Sequence, residues 1–347
     1  MTVKVKENVS AGKKRLVSKI TDRMGGQNMV LVGIFLVLYI SATIYDPGTF
    51  LNSYTFASMS YQMAAMGLMS LGMLIAMIAG GIDLSVIGIH NLTGMLVGIY
   101  VTSVFPQTSS GVMSLLYILS AVLIAILVGA LCGIFNGFLI AKLGIPAILA
   151  TMGSSYLFLG ICLIVKQGSA VSDMPQLYLD VFTYEIGGVI PVQILIFLVC
   201  AIFLAYVLKH RQYGLRLYMY GSNPKASKYA GLNNSRVIIR THMISGILCA
   251  VGGMLTLARN NSSREDYGST LCTQAIIICV LGGVNPYGGE GNVFGTVVAL
   301  LILQVFSTGL NMFRDVNSFM RELAWGIVLI AVMVSRYYIA KRKAKHE

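Results

Sequence analysis

Two glycine-rich segments hold the residues of this sequence whose types and spacing could do chemistry. The first, GGIDLS at residues 80–85, places the carboxylate of Asp83 among apolar residues, and the second, LGGVNPYGGEG, covers residues 281–291. Glycine and proline interrupt helices, and the free ends of interrupted helices can line a path for a solute. We expect Asp83 to cap the following helix by accepting the N–H of Ser85 or Val86. The residues of this structural motif are Gly80, Gly81, Asp83, Ser85, Gly282, Gly283, Gly288 and Gly289.

Uncharged polar residues within otherwise apolar stretches form a second group. Such residues are costly in a lipid-embedded segment unless they pair or face a cavity. A neutral solute rich in hydroxyls would need amide, hydroxyl and aromatic partners of this kind. For each residue taken singly, the alternative is a hydrogen bond between helices. The predicted substrate-path residues are Tyr61, Gln62, His90, Asn91, Asn136, Thr151, Ser154, Ser155, Tyr156, Thr273 and Gln274.

Several kinds of chemistry are excluded by what the sequence lacks. There is no GxxxxGK[ST] motif, so the chain cannot itself cradle nucleotide phosphates. No set of His, Cys, Asp and Glu has the spacing of metal ligands, and neither a metal nor a cofactor is predicted. The six cysteines fall in apolar stretches without a CxxC pair and are interpreted as packing residues. No nucleophile and base lie on facing segments, so we predict that the chain is not an enzyme.

The elements that must position these residues are long apolar helices. Of the 347 residues, 56% are hydrophobic and 11% are charged, and the mean hydropathy is +0.78. A span needs about 20 mainly apolar residues, and alternating hairpins are absent, so the sequence predicts an all-α integral membrane protein. About ten transmembrane helices are predicted, near 29–45, 54–80, 84–105, 113–141, 145–165, 190–208, 237–258, 269–283, 292–312 and 318–338.

The placement of the basic residues predicts the orientation. With ten spans and both termini cytoplasmic, 20 of the 25 Lys and Arg residues fall on the cytoplasmic side, as the positive-inside rule requires. The net charge of +12 therefore indicates membrane orientation rather than nucleic-acid binding. We expect a cytoplasmic N-terminal tail at 1–28, a transmembrane permease domain at 29–338 and a basic cytoplasmic tail at 339–347.

The cytoplasmic loop at about 209–236 contains a short predicted helix. Asn223 is a good N-cap, Pro224 suits the first helical position, and Gly231 is a natural stop. A short exposed helix at this place is predicted to dock a partner. The alternative is an interfacial helix that lies on lipid headgroups.

Four segments resemble one family, the ribose/xylose/galactose-type permeases of ABC transporters. They are AGGIDLSV at 79–86, GIFNGFLIAKLGIPAILATMG at 133–153, GSNPKASKYAGL at 221–232 and VLGGVNPYGGEGNVFGT at 280–296. The resemblance covers nearly the whole chain. It implies a multi-pass subunit of the bacterial inner membrane, a second permease copy (homodimer) or a paralogue, partner ABC ATPase subunits and a soluble substrate-binding protein. It also implies coupling to the ATPase through Gly221, Asn223, Pro224, Ala226, Ala230 and Gly231.

The sequence departs from the family pattern at two places. Ile87 stands where the family usually has glycine, and residues 269–274 (STLCTQ) lack the acidic residue often found there. A monosaccharide is the predicted solute, and a nucleoside, an autoinducer-type solute or a branched-chain amino acid remains open. A secondary transporter or channel is the other class considered, but it would require ionisable residues that are scarce in these spans.

Overall fold

The computed structural model describes residues 26–105 and 112–311, together with residues 320, 323–328, 330 and 334. The described chain is mainly helical, which confirms the predicted all-α class. The helices are α1 (Gly26–Tyr45), α2 (Pro47–Phe50), α3 (Ser53–Ile78), α4 (Val86–Val104), α5 (Val112–Ala141), α6 (Ala147–Lys166), α7 (Gln176–Phe182), α8 (Val192–His210), α9 (Gln212–Ser222), α10 (Pro224–Tyr229), α11 (Asn234–Asn260), α12 (Leu271–Leu281) and α13 (Val293–Leu310). The predicted tails at 1–28 and 339–347 lie almost entirely outside the described residues.

Eight described helices, rather than the ten predicted, are long and apolar enough to cross a membrane: α1, α3, α4, α5, α6, α8, α11 and α13. The predicted span at 269–283 corresponds to α12, which has 11 residues. At 1.5 Å per residue such a helix is about 16 Å long, roughly half of the hydrocarbon thickness. Most of the predicted span at 318–338 lies outside the described residues.

Helix α11 is the centre of the bundle and packs along α5, α3 and α4. The contact with α5 is close because Gly129 and Gly133 face the backbone of α11. A Cβ at Gly133 would meet the carbonyl oxygen of His242, and one at Gly129 would meet that of Gly246. Small residues at such positions let helices approach each other where lipid removes the hydrophobic driving force for packing.

The outer surface of the bundle is apolar. On α5, leucines at every fourth position are half or more exposed, which places them in one row on one face. The row consists of Leu119, Leu123, Leu127 and Leu131. In contrast, α3 is buried over most of its length, so it belongs to the core of the bundle rather than to its surface.

The two ends of α11 lead to different structures. Before its N-terminus, α9 and α10 form the basic end of the molecule, which is the predicted coupling loop. After its C-terminus, β4 (Ser262–Ser263) pairs with β1 (Val171–Ser172) in an antiparallel ladder. A small hairpin of β2 (Glu185–Ile186) and β3 (Ile190–Pro191) follows α7. We call the end that carries these strands the far end.

Candidate functional site

A cavity of about 410 Å³ lies between α3, α4, α11, α12 and α13. Arg259 and Asn260, in the last turn of α11, and Ser307, close to the end of α13, line it, so the cavity belongs to the far end of the bundle. Among the residues that the structure describes, its lining contains no carboxylate. The polar and aromatic lining residues are Gln62, His90, Thr256, Arg259, Asn260, Tyr267, Thr270, Gln274, Ser307 and Trp325.

His90 is the most deeply buried polar residue of this lining. It is 2% exposed, and neither ring nitrogen has a hydrogen-bond partner among the described residues. Buried polar groups without partners are rare in proteins because each one costs free energy. The imidazole of His90 can therefore offer a donor and an acceptor to a molecule in the cavity.

The side-chain amides of Gln62 and Gln274 line the cavity together with His90, and Gln304 lies next to Gln62. Gln304 donates weakly to Gln62 over 3.5 Å, and its own carbonyl oxygen is buried without a partner in the described chain. Gln274 projects from the first turn of the half-length helix α12 into the cavity. The amide groups of Gln62 and Gln274 thus approach the cavity from two different helices.

Three of the predicted path residues, Gln62, His90 and Gln274, are brought together by this cavity. Tyr61 and Asn91, which are adjacent in sequence to Gln62 and His90, do not line the cavity. The hydroxyl of Tyr61 donates to the carbonyl oxygen of Thr183 at 2.7 Å, and the amide of Asn91 donates to that of Glu265 at 2.7 Å. These two side chains fix the loops of the far end.

The other predicted path residues are distributed over α5, α6 and α12. Asn136 and Thr151 are buried and bind the first glycine break, as described below. Ser154 and Ser155 are also buried on α6, where Ser154 donates to the carbonyl oxygen of Thr151 at 3.1 Å. Tyr156 is 70% exposed and Thr273 is exposed, so neither faces the cavity within this subunit.

The first glycine break contains a buried polar cluster around Asp83, which is completely buried. As the sequence predicts, Asp83 accepts the N–H of Ser85, at 3.0 Å, and it also accepts the Ser85 hydroxyl. Asn136 on α5 donates to the Ser85 hydroxyl oxygen at 2.6 Å. On α11, His242 and Ser245 contact the second carboxylate oxygen at 3.3 and 3.0 Å. We call these five residues the Asp83 cluster.

His242 and Ser245 are the residues that the sequence reasoning missed. Both lie three residues apart on α11 and therefore on one face of the helix. A carboxylate inside the membrane domain requires partners, so His242, within a predicted span, was the signal that could have found this contact. Thr151 extends the arrangement, because its hydroxyl oxygen accepts the N–H of Leu84 at 3.0 Å.

The second glycine break is held mainly by backbone contacts. The N–H of Gly289 donates to the carbonyl oxygen of Ile78 at 2.9 Å. Gly288 has a φ of +96°, and a Cβ there would meet the backbone of Gly80 and Gly221. A Cβ at Gly221 would in turn meet the Ile78 carbonyl oxygen and the amide nitrogen of Gly289. We call the meeting of Gly80, Gly221, Gly288 and Gly289 the glycine junction.

The glycine junction connects both breaks to the predicted coupling segment. Tyr218 on α9 adds a side-chain contact, since its hydroxyl donates to the carbonyl oxygen of Gly291 at 2.7 Å. Gly282, at the start of the second break, packs against the backbone of Gly295 and Thr296 in the first turn of α13. Gly81 and Gly283 belong to the same two breaks, where Gly81 faces the side chain of Ala147 and Gly283 has a φ of +100°.

The short helix predicted at the basic end is present as α10. The side chain of Asn223 accepts the N–H groups of Lys225 and Ala226, and Pro224 occupies the first turn. Ala230 ends the helix, and Gly231 follows with a φ of +79°. Most of α10 is exposed, including Tyr229 at 92%, so the helix is accessible from outside the subunit.

These features define the class of the protein as a multi-pass, all-α membrane protein with a polar cavity and two broken helices. A family model described as the branched-chain amino acid transport system permease component matches residues 55–335. The autoinducer 2 import system permease protein LsrD of Yersinia enterocolitica is 30% identical over 277 residues, which are 78% of this chain and 80% of that protein. The protein of the same name from Photorhabdus luminescens is 28% identical over 274 residues, 77% and 78% of the two chains.

The chain therefore belongs to this family of permease components of ABC importers. This confirms the family resemblance carried by the four motifs. No solved structure matches the chain.

Proposed function

We propose that this chain is the membrane-spanning permease subunit of a binding-protein-dependent importer in the bacterial inner membrane, and that its solute is a monosaccharide. The cavity at the far end carries the proposal. Its volume of about 410 Å³ falls within the range of small-molecule sites. Its lining offers amides, hydroxyls, an imidazole and an indole, which suit a neutral molecule with several hydroxyl groups.

The described part of the lining has no carboxylate, which supports an uncharged solute over a cation. Arg259 is the one permanently charged residue among the described residues of the lining, and it is exposed at the end of α11. A guanidinium has five N–H donors and can bind hydroxyl oxygens as well as anions. His90 lines the cavity with two buried ring nitrogens that have no partner among the described residues, so it would gain hydrogen bonds when a solute enters.

Autoinducer 2 is a second candidate solute. The relatives from Yersinia enterocolitica and Photorhabdus luminescens are called permeases of autoinducer 2 import systems. This proposal shares the transport mechanism of the first and differs only in what the cavity admits.

Transport would proceed by alternating access driven by separate ATPase subunits. We propose that α10 docks on an ATPase subunit, with Gly221, Asn223, Pro224, Ala226, Ala230 and Gly231 as the coupling residues. The support is that α10 is exposed and capped, and that Gly221 contacts the backbone of Ile78, at the end of α3, and of Gly288 and Gly289 in the second break. A second copy of the chain, or a paralogue, would complete the transporter, and a soluble binding protein would deliver the solute to the far end.

The test is uptake by proteoliposomes that contain the permease, its ATPase and its binding protein. Radiolabelled monosaccharides and autoinducer 2 are supplied separately, with ATP enclosed on the ATPase side. We expect ATP-dependent accumulation of one of these solutes. ATP-dependent accumulation of a charged amino acid, with neither sugar nor autoinducer 2 transported, would overturn the proposed solute class.

The variant Gln274→Trp tests the cavity itself. An indole at this position fills the space beside His90, so we expect uptake to fall at least about tenfold while the ATPase subunits still assemble. Val199→Trp is the matched control, because Val199 is 66% exposed on the outer face of α8. Equal uptake by both variants would show that the cavity is not on the path.

A further inference from the structure

A second cavity, of about 340 Å³, lies at the basic end of the molecule, between α9 and the start of α11. It is distinct from the cavity at the far end and shares no residue with it. Its lining contains three arginines, namely Arg216 from α9 and Arg236 and Arg240 from α11. Arg236 and Arg240 are four residues apart, so both project from one face of α11.

The two walls of this cavity are held together by a defined contact. The hydroxyl of Tyr213 on α9 is 2.9 Å from that of Thr241 on α11, and Tyr213 is itself part of the lining. Burial raises the pKa of Tyr213 to about 12, while the hydrogen bond with Thr241 and the positive charge of Arg240 act in the opposite direction. The hydroxyl of Thr241 donates to the carbonyl oxygen of Val237 at 2.8 Å, so the neutral Tyr213 hydroxyl donates to Thr241 and joins the two walls.

The positive charge of the cavity is not compensated within the described chain. The sequence has no Asp or Glu between Glu185 and Glu265. Neither Arg216, Arg236 nor Arg240 forms an ion pair in the part of the chain that the structure describes. Arg216 donates to the neutral amide of Gln212 at 3.0 Å. Three guanidinium groups that share one concave surface create a strong preference for an anion with several oxygens.

The position of α9 indicates where that anion comes from. The helix follows directly after α8, a candidate span, and is separated from it by Arg211. On α9, Leu215 and Met219 are four residues apart and are 63% and 40% exposed. A short helix with such an apolar face beside basic residues is typical of the membrane interface. The guanidinium of Arg211 lies 5.3 Å from the ring centre of Tyr206, which is a cation–π contact. Tyrosine is enriched at the membrane–water interface, so this contact fits the same location.

We propose that the cavity formed by Arg216, Arg236 and Arg240 binds the phosphate of an anionic phospholipid headgroup. The phosphate oxygens would accept hydrogen bonds from the three guanidinium groups. The acyl chains would extend along the exposed apolar face of α9. The lipid would thus bridge α9 and α11 directly beside the glycine junction, which α9 enters through Gly221.

The experiment is native mass spectrometry of the full-length chain in a non-ionic detergent, titrated with phosphatidylglycerol or with phosphatidylcholine. We expect one phosphatidylglycerol molecule per chain to be retained preferentially. The variant Arg216→Gln/Arg236→Gln/Arg240→Gln should bind it on the order of a hundredfold more weakly, since each basic residue contributes about 1 kcal/mol. The control Arg211→Gln/Lys225→Gln/Lys228→Gln removes the same charge from the basic end outside the cavity and should retain the lipid.

A second variant addresses the case in which the triple arginine variant does not fold. Leu232→Trp fills the cavity and leaves every charge in place, and it should also lose the bound phosphatidylglycerol. Equal retention of the two lipids, or equal loss in the arginine variant and its charge-matched control, would overturn the proposal. So would competition by free glycerol 3-phosphate at the lipid's own concentration, because the ligand would then be a soluble phosphate. Loss of the ATPase subunit from the arginine variant, with unchanged lipid retention, would assign the cavity to the ATPase.

Discussion

The two glycine breaks are stabilised in different ways. At the first break, the Asp83 cluster joins the loop to α5 and α11 through buried side chains. At the second break, glycine backbones from separate segments touch one another at the glycine junction, leaving no room for a Cβ. A side-chain network fixes a loop within its own bundle, whereas a backbone junction transmits the position of one segment directly to another.

Because the two breaks are stabilised differently, changes in them should affect different properties of the protein, namely its stability and its coupling to ATP hydrolysis. The Asp83 cluster has no residue from the basic end of the molecule, so a change in it should act mainly on the free energy of unfolding. The glycine junction includes Gly221 from the predicted coupling segment. A change in the junction should therefore also alter how ATP hydrolysis is linked to uptake.

The largest effect is expected from His242→Leu. This change removes the imidazole that contacts the buried carboxylate of Asp83 at 3.3 Å, and leaving a buried charged group short of a hydrogen-bond partner costs more than about 3 kcal/mol. The measurement is the free energy of unfolding in mixed micelles, from a denaturant titration monitored by circular dichroism.

The double variant Asp83→Asn/His242→Leu is the control for this prediction. It removes the carboxylate charge together with the imidazole; the amide oxygen of Asn can still accept from Ser85, and its NH2 group can donate to the hydroxyl oxygen of Ser245. The double variant should therefore be more stable than His242→Leu alone. If the double variant were less stable than His242→Leu, the contact between His242 and the Asp83 carboxylate would not explain the loss of stability in the single variant.

A smaller effect is expected from Gly288→Ala. The φ of +96° disfavours alanine, and its Cβ meets the backbone of Gly80 and Gly221, so we expect a loss of about 2–4 kcal/mol in stability. In the reconstituted importer, the number of solute molecules transported per ATP should fall as well. Gly144→Ala, between α5 and α6, has a φ of +72° and open space around the Cβ, so it isolates the backbone strain. If both variants lost the same stability and the same uptake per ATP, the close backbone contacts of the junction would contribute nothing beyond the backbone strain.

The smallest effect is expected from Asn136→Ala, which removes one hydrogen bond from the Asp83 cluster. The hydroxyl of Ser85 still has Asp83 as an acceptor, so the cost should be about 1 kcal/mol. Because the members of the cluster share partners, Asn136→Ala and Ser85→Ala should not be additive in a double-mutant cycle. Strict additivity would mean that the five residues act independently rather than as a network.

Much of the fold could be predicted from the sequence because long apolar segments have few structural options in a membrane. The helix class, the edges of α3 and α5 and the capped helix at Asn223 all follow from local patterns. The number of full spans could not be predicted in this way, since hydropathy does not distinguish a half-length helix from a complete one. Helix α12 is apolar after its first turn but ends after 11 residues at Leu281, just before Gly282.

The candidate site was predictable only in part. Polarity within an apolar stretch identifies residues that need a partner, but it does not say which partner they find. Gln62, His90 and Gln274 meet at one cavity, whereas Asn136 and Thr151 bind the first break. The contact between Asp83 and His242 joins residues 159 positions apart, and only the packing of α4 and α11 brings them together.

The half length of α12 has a consequence for the biogenesis of the protein. A segment of 11 residues is too short to partition into the bilayer as an independent transmembrane unit during translation. Basic residues in the loops at the two ends of a full span set its orientation. They cannot orient α12 in this way, because this helix is too short to reach both membrane surfaces. Its insertion must therefore wait until α3 and α13, against which it packs, are already in the membrane. The late entry of this helix makes the final topology a product of tertiary assembly rather than of the translocation machinery alone.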